Sequence, residues 1–120
     1  MTAQAPVIEK VGSVTIVTMG NMYDSLDGST ISVVMDPLIS ASQEAVPPTL
    51  LLDMSPTKFF GSSFIEVLVK MWNNLKSRGG NLHICGLQKY CLEVLEITHL
   101  DNVWPLYKTR EEALKELGKK

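Results

Sequence analysis

The sequence of 120 residues has the length of one domain, and its 45% hydrophobic and 20% charged residues are the composition of an ordinary globular protein. Its formal net charge of −2 excludes the basic surface that nucleic acids and anionic lipids require, so we expect neither as a direct partner. No apolar run reaches the ~20 residues of a membrane span and the first residues lack a signal-peptide core, so we expect a cytoplasmic protein.

The first part of the chain predicts two strands, a loop and a helix. Apolar and β-branched residues predict short strands over Val7–Lys10 and Ser13–Met19. Residues 20–28 are rich in turn formers and predict a loop. The apolar positions of Ile31–Leu38 fit one face of a helix. Because Pro37 lies inside that pattern, we expect either a kink or a second helix start there.

The centre of the chain predicts a buried strand that leads into an apolar helix. Thr49–Met54 is a short apolar run, which is typical of a central strand covered on both faces. The apolar residues of Phe64–Leu75 then recur at helical spacing. Ser62 and Ser63 therefore lie where a helix begins, and there the backbone N–H groups lack partners and the helix dipole favours negative charge. A serine at this place can cap the helix, which is worth ~1 kcal/mol, or accept a phosphate that the helix end holds.

The last part of the chain continues the alternation of strands and helices. It predicts a strand over Asn81–Cys85, a helix over Leu87–Thr98 and a short edge strand within Trp104–Tyr107. Thr109 and Glu112 have the spacing of a capping box at the start of a final helix. The sequence therefore predicts a single α/β domain over residues 1–120, with a mixed, mostly parallel sheet of four to five strands and about four helices.

Several kinds of site find no support in the sequence. Cys85 and Cys91 have no CxxC or metal-ligand spacing and lie among apolar residues, so we expect reduced thiols in the core. His83 and His99 belong to no spaced ligand set, so we expect no metal and no cofactor. The chain has no GxSxG elbow, phosphate-binding glycine loop or HExxH motif, and no histidine is indicated as a base for Ser62 or Ser63. We therefore expect a protein that is not an enzyme.

Two blocks of the sequence resemble the STAS domain family, the fold of bacterial anti-sigma factor antagonists. In the first block, Leu51–Ser55 and Phe59–Ser63 resemble the apolar strand, the Asp-Leu-Ser motif and the Asp-Ser-Ser-Gly helix start of the family. The second block follows the usual C-terminal pattern across Val94–Thr98, Leu100-Asp101, Pro105–Tyr107 and Glu111–Leu114. The resemblance spans nearly the whole chain and implies a STAS fold.

The resemblance also implies a regulatory serine. In the family, the second serine of the Ser-Ser pair is phosphorylated by the cognate anti-sigma factor, which is itself a serine kinase. The unphosphorylated form binds that factor and so frees the sigma factor. By this resemblance Ser63 is the phosphoacceptor of an anti-sigma factor antagonist. The residues that it implies for partner binding are Asp27, Gly61, Ser62, Ser63 and Phe64.

The sequence departs from the family pattern beside the two serines. Gly61 stands where members usually carry aspartate, which removes a like charge beside a phosphate and also a feature that the kinase could read. Phe64 stands where they usually carry glycine, and among the three phenylalanines at this place we expect its ring to be the exposed one, as an apolar anchor for a partner. Asp27 could equally be an ordinary turn or cap residue.

Three functions are open at this point. The first is an anti-sigma factor antagonist that is switched off by phosphorylation at Ser63 and restored by a phosphatase. The alternative is a STAS module that binds its partners constitutively, as a scaffold or an accessory subunit of a transport complex, with the serines as helix caps. The third is a small-ligand binding domain, although the sequence offers no convincing phosphate cradle. We expect a monomer or a weak dimer.

Overall fold

The computed structural model describes residues 7–19, 22–23, 31–57, 59–60 and 62–117. These residues form an α/β domain, the class that the sequence predicts. The strands are β1 (Val7–Val11), β2 (Val14–Thr18), β3 (Met22–Tyr23), β4 (Thr49–Asp53), β5 (Phe59–Phe60), β6 (Asn81–Cys85) and β7 (Leu106–Tyr107). The helices are α1 (Ile31–Glu44), α2 (Ser62–Ser77), α3 (Lys89–Ile97) and α4 (Arg110–Leu117). None of the helices in these ranges has the length and apolar character to cross a membrane.

Five of the strands form one sheet in the order β1-β2-β4-β6-β7. β1 and β2 are an antiparallel hairpin, whereas β2, β4, β6 and β7 run parallel to one another. The sheet is therefore mixed and mostly parallel, and β7 lies at an edge, as Pro105 beside it indicates. β3 and β5 pair in a separate two-stranded parallel sheet. The sequence does not predict β3, since it indicates only a loop over residues 20–28.

Helices cover both faces of the five-stranded sheet, which explains why its central strands are apolar on both sides. One face packs against α1, α2 and α3, and the other packs against α4. β4 shows the division most clearly. Leu50 and Leu52 belong to the core on the three-helix side, Leu51 belongs to the core under α4, and all three are fully buried.

α1 runs without interruption from Ile31 to Glu44, with Pro37 inside it. The alternative of a second helix start at Pro37 is therefore wrong. A proline inside a helix removes one backbone hydrogen bond, and packing offsets that loss here, since Leu38 is fully buried in the core and α1 lies along α2.

Arg78, just after α2, holds the end of α1. Its guanidinium donates to the carbonyl of Ser42 at 3.1 Å and to the carbonyl of Ala45 at 2.6 Å. The last carbonyls of a helix have no intrahelical donor, so this contact satisfies acceptors that would otherwise need water. Next to it, a Cβ on Gly80 would lie 1.7 Å from the Pro48 carbonyl oxygen, so only glycine allows the chain to pass into β6 there.

Phe64, whose ring we expect from the sequence to be exposed, is fully buried. It is the third residue of α2, and Leu68 and Met71 follow it at helical spacing in the core that faces the sheet. The expectation that its ring is a surface anchor for a partner is therefore wrong. The periodicity that predicts α2 also assigns its first apolar position to the core.

Replacing Phe64 by alanine should destabilise the fold strongly. Removal of a buried phenylalanine ring lowers the free energy of unfolding by about 3–5 kcal/mol, and urea denaturation followed by circular dichroism measures that change. Ile97→Ala, at a position on α3 that is 77% exposed, is the control and should change the same quantity by less than about 0.5 kcal/mol. Equal effects of the two substitutions would contradict the burial of the Phe64 ring.

Candidate functional site

The carboxyl ends of β2, β4, β6 and β7 meet at one edge of the sheet. In open α/β sheets, the crevice outside these ends is the usual place for a binding site. From β4 the chain leaves this edge, passes through β5 and enters α2 at Ser62. The predicted regulatory serines therefore lie in the connection that leaves the carboxyl end of β4, just after β5.

Ser62 and Ser63 are the first two residues of α2, in agreement with the helix start that the sequence predicts. The first N–H groups of a helix have no intrahelical acceptor, and the first turn of α2 carries no acidic residue. This backbone geometry suits either a capping hydroxyl or a phosphate. The side chains of Ser62 and Ser63, and the whole of Gly61 and Asp27, lie outside the described residues, so their roles stay predictions.

The strand pair β3 and β5 lies just before the start of α2. Met22 pairs with Phe59 and Tyr23 with Phe60, in parallel register. This pairing brings the segment after β2 beside the segment that leads into α2. A strand of two residues has no alternation that a sequence pattern could detect, which is why β3 escaped prediction.

The segment between β4 and β5 is held by hydrogen bonds from two sides. Asp53, the last residue of β4, accepts bonds at Oδ1 from the Ser55 N–H at 3.0 Å and from the Ser55 hydroxyl at 2.7 Å. On the other side, Gln88 Nε2 donates to the Ser55 carbonyl at 2.8 Å, and the Cys91 thiol donates to the Thr57 carbonyl at 3.6 Å. Residues 55 and 57, just after β4, are thus held both by β4 and by the α3 region.

Arg110, the first residue of α4, binds the second oxygen of the same Asp53 carboxylate. Its Nε and Nη2 lie 3.1 and 3.0 Å from Asp53 Oδ2. Its Nη1 donates to Glu9 Oε1 at 2.8 Å, and Nη2 donates to the Thr18 hydroxyl at 2.6 Å. One guanidinium therefore joins α4 to β1, β2 and β4. The sequence does not predict this cluster, because no motif connects Asp53 and Arg110, which are 57 positions apart.

Asp53 carries a negative charge although it is only 6% exposed. Burial of the carboxylate raises its pKa, but the hydrogen bonds from Ser55 and the charge and hydrogen bond of Arg110 outweigh burial and hold the pKa below the ordinary value of 3.8. Both carboxylate oxygens are occupied by donors. The Asp53 carboxylate therefore links Ser55, which follows β4, to Arg110 of α4.

The two cysteines are free thiols buried in the core, as the sequence predicts. Burial raises the pKa of Cys85 to about 12, with a further contribution from the Asp53 carboxylate, and burial raises the pKa of Cys91 to about 11. Reactive thiols have a lowered pKa and an accessible sulfur, so neither cysteine has the character of a nucleophile. Within the described ranges, no cluster of His, Cys, Asp and Glu side chains is arranged to hold a metal ion.

Arg110→Ala should lower the free energy of unfolding at neutral pH and should make that free energy depend less on pH in the acid range. Loss of hydrogen bonds to a buried charged group lowers the free energy of unfolding by about 1–3 kcal/mol at neutral pH. Because the folded-state pKa of Asp53 lies below 3.8, the cluster stabilises fully above that pH and loses its effect as the pH falls through the lower folded-state value. Urea denaturation between about pH 7 and pH 3 measures both effects.

The matched control for this prediction is Lys115→Ala. Lys115 is an exposed cation on the same helix, so its removal should change the free energy of unfolding by less than about 0.5 kcal/mol. If the two variants were equally stable, the Arg110 contacts would contribute nothing measurable to the fold.

The comparisons with known proteins agree with this architecture. The family model described as STAS domain matches residues 5–113. Among solved structures, an anti-sigma factor antagonist (STAS) domain protein from Planctomyces limnophilus is 34% identical, with a TM-score of 0.86, over 96% of this chain and 99% of that one. No curated protein matches the sequence.

Two structures of lower identity share the fold alone. SpoIIAA, a cell fate determinant of Bacillus, in its phosphorylated form is 18% identical, with a TM-score of 0.71, over 94% of this chain and 99% of that one. The murine anion transporter Solute Carrier 26 family member A9 is 14% identical, also with a TM-score of 0.71, over 93% of this chain and 19% of the transporter chain. On the family match and the 34% identity together, this protein belongs to the STAS domain family.

Proposed function

We propose that this protein is an anti-sigma factor antagonist, which binds its anti-sigma factor through the surface around the start of α2. The observation that carries the proposal is the likeness to the antagonist domain protein from Planctomyces limnophilus, which extends over nearly the full length of both chains. The fold is also that of SpoIIAA, whose structure is known in a phosphorylated form. Binding of a protein partner, and not catalysis, is then the activity of this domain.

In this proposal Ser63 is the residue that turns binding off when it is phosphorylated. A phosphate adds about −1.5 to −2 charge and three acceptor oxygens. At the second residue of α2, with no acidic side chain in the first turn, the helix end stabilises that charge by about 0.3–1 kcal/mol, and by up to about 2 kcal/mol where it is partly buried. The free, phosphorylated protein therefore keeps its fold.

The same phosphate opposes complex formation. A partner that covers the start of α2 must remove water from the phosphate, and a buried charge without a matching cation is destabilising by several kcal/mol. Phosphorylation thus weakens binding at one interface and leaves the fold of the domain intact. Asp27, Gly61 and Ser62 are the other residues that we propose for this interface, while the buried ring of Phe64 supports it from within.

The partner that we propose is an anti-sigma factor with serine kinase activity, acting in the cytoplasm. The glycine at position 61 fits such a switch, because no carboxylate at that position opposes the incoming phosphate. A kinase partner would bind the surface around the start of α2 and would also phosphorylate Ser63 there. The same surface would then serve both binding of the partner and its release.

A second candidate function is constitutive binding as an accessory or scaffold module. The observation that favours it is the occurrence of the same fold within the murine anion transporter, where this chain matches 19% of the transporter's length. In that function Ser62 and Ser63 only cap α2, a contribution of about 1 kcal/mol to stability, and phosphorylation plays no part.

Phosphorylation at Ser63 is tested with the serine-kinase anti-sigma factors encoded in the same genome. Each is incubated with this protein and ATP, and intact mass should show one added phosphate on the wild type and on Ser62→Ala, but none on Ser63→Ala. In calorimetry with the same partner, Ser63→Asp should bind at least about tenfold more weakly than Ser63→Ala, since the charge must be desolvated.

Two outcomes distinguish the candidate functions. Absence of any added phosphate, together with unchanged partner binding by Ser63→Asp, would support the constitutive module and reject the switch. A phosphate that persists in Ser63→Ala and disappears in Ser62→Ala would move the switch to the neighbouring residue. Circular dichroism of each variant checks that the fold is intact.

A further inference from the structure

α2 and α3 lie side by side on one face of the five-stranded sheet. α2 joins β4 to β6 and α3 joins β6 to β7, so the two helices run parallel to each other, because these strands are parallel neighbours. Both helices pack on the larger apolar core. On one flank α2 lies along α1, and there Asn74 Nδ2 donates to the Ser42 hydroxyl at 3.0 Å. The opposite flank of α2 therefore faces α3.

The flank of α2 that faces α3 is apolar from its first turn onwards. Ile65, Val69 and Trp72 recur at i, i+4 and i+7, which places them on one stripe of the helix. All three pack against the core but are only partly buried. The ring of Trp72 meets the ring of Trp104, in the loop after α3, edge to face with the centroids 6.3 Å apart. This contact shows that the stripe lies on the α3 side.

α3 presents a similar stripe towards α2. In α2 the residue just before a core position, Asn74 before Leu75, lies on the flank that faces α1. Because the helices run parallel on one face of the sheet, the residue just before a core position of α3 lies on the flank that faces α2. The core positions of α3 are Cys91 and Leu95. The apolar residues that this rule places on the stripe, continued to i+7, are Tyr90, Val94 and Ile97.

The stripe of α3 is the more exposed of the two. Ile97 is 77% exposed and Tyr90 is 69% exposed, the highest values among the large hydrophobic side chains of the described residues. Clustered apolar side chains on a surface are typical of sites that bind another protein. We call the two stripes together, residues 65, 69 and 72 of α2 and residues 90, 94 and 97 of α3, the α2–α3 surface.

The α2–α3 surface begins beside the predicted regulatory serines. Ser62 lies three positions before Ile65, at the head of the same stripe of α2. β5, which ends just before Ser62, contacts both α2 and α3. The start of α2, through which we propose that the anti-sigma factor binds, is therefore continuous with the α2–α3 surface.

We propose that the α2–α3 surface is a second part of the partner interface and binds an amphipathic helix of the anti-sigma factor. This inference rests on the proposed function. A partner that covered only the first turn of α2 would fall short of the ~800 Å² that each partner buries in a standard interface. The two apolar stripes supply further area directly beside that turn, and the aromatic rings of Trp72 and Tyr90 are of the kind that dominates binding energy.

The dimensions of the α2–α3 surface fit a helix as its occupant. Each stripe extends over seven residues of its helix, which is about 10.5 Å at 1.5 Å per residue. A helix that binds between two others uses apolar residues at i, i+3 or i+4 and i+7, so its contact residues extend over the same length. Two turns of a partner helix would therefore match both stripes at once.

Calorimetry with the serine-kinase anti-sigma factors of the same genome tests the surface. The parent is Ser63→Ala, which cannot be phosphorylated at that residue. Adding Tyr90→Ser and Ile97→Ser removes both exposed anchors of α3 and should raise the Kd at least about tenfold. The control adds Val7→Ser and Ile8→Ser, a similar change at two exposed positions on β1, the opposite edge of the sheet, and should bind like the parent. Circular dichroism checks the fold of each variant.

Photo-cross-linking identifies the occupant. The photoreactive amino acid p-benzoyl-phenylalanine in place of Ile97 should cross-link to the anti-sigma factor, whereas the same amino acid in place of Val7 should not. Mass spectrometry of the cross-linked peptide should place the contact in a segment of the anti-sigma factor whose apolar residues have helical spacing.

The outcomes distinguish this inference from the proposed function. If the Ser63→Ala protein binds none of the anti-sigma factors, the proposed function and this inference are both wrong. If it binds one of them, and the variant that lacks Tyr90 and Ile97 binds equally well, the function stands and only this inference is rejected. A cross-link from position 97 to a second copy of this chain, or to a segment without helical spacing, would also overturn it.

Discussion

The paired negative charge of Asp53 is the constraint on which the carboxyl edge of this sheet depends. A buried carboxylate is destabilising by several kcal/mol unless hydrogen-bond donors surround it. In Asp53, each carboxylate oxygen has its own donors. Oδ1 accepts from Ser55, on the path to the helix that begins with the two serines, and Oδ2 accepts from Arg110. Arg110 in turn binds Glu9 and Thr18. One charge therefore holds both Ser55, at the start of the segment between β4 and β5, and Arg110 of α4, which also contacts β1 and β2.

Much of the fold could be predicted because its elements have strong local patterns. The apolar run of β4 indicates a strand buried on both faces, and the structure buries it so. The helix start predicted at Thr109 is confirmed by a bond from the Glu112 N–H to the Thr109 hydroxyl at 3.1 Å, the N-cap half of a capping box. The order of such elements, together with the STAS-like motifs, was sufficient for the class and for the position of Ser63 in the first turn of α2.

The features that escaped prediction depend on contacts between distant parts of the chain. β3 and β5 are strands of two residues, defined only by their pairing with each other. The Arg110 cluster joins residues of four elements, and no sequence spacing indicates that these residues meet. The environment of Phe64 was predicted wrongly for another reason. Its place in the family motif favoured an exposed ring that binds a partner, whereas helical periodicity favoured a ring in the core. Periodicity was right, because the first turn of α2 already packs against the sheet.

The burial of Phe64 also determines how a phosphate on Ser63 would act in the proposed switch. To move the start of α2, the phosphate would have to withdraw this ring from the core, at a cost of about 3–5 kcal/mol. The favourable interaction of a phosphate with the helix end is about 0.3–1 kcal/mol and at most about 2 kcal/mol. The second quantity is smaller than the first, so the helix stays where it is. In the switch that we propose, the partner must therefore respond to a change of surface charge on a rigid domain, and not to a change in the shape of that domain.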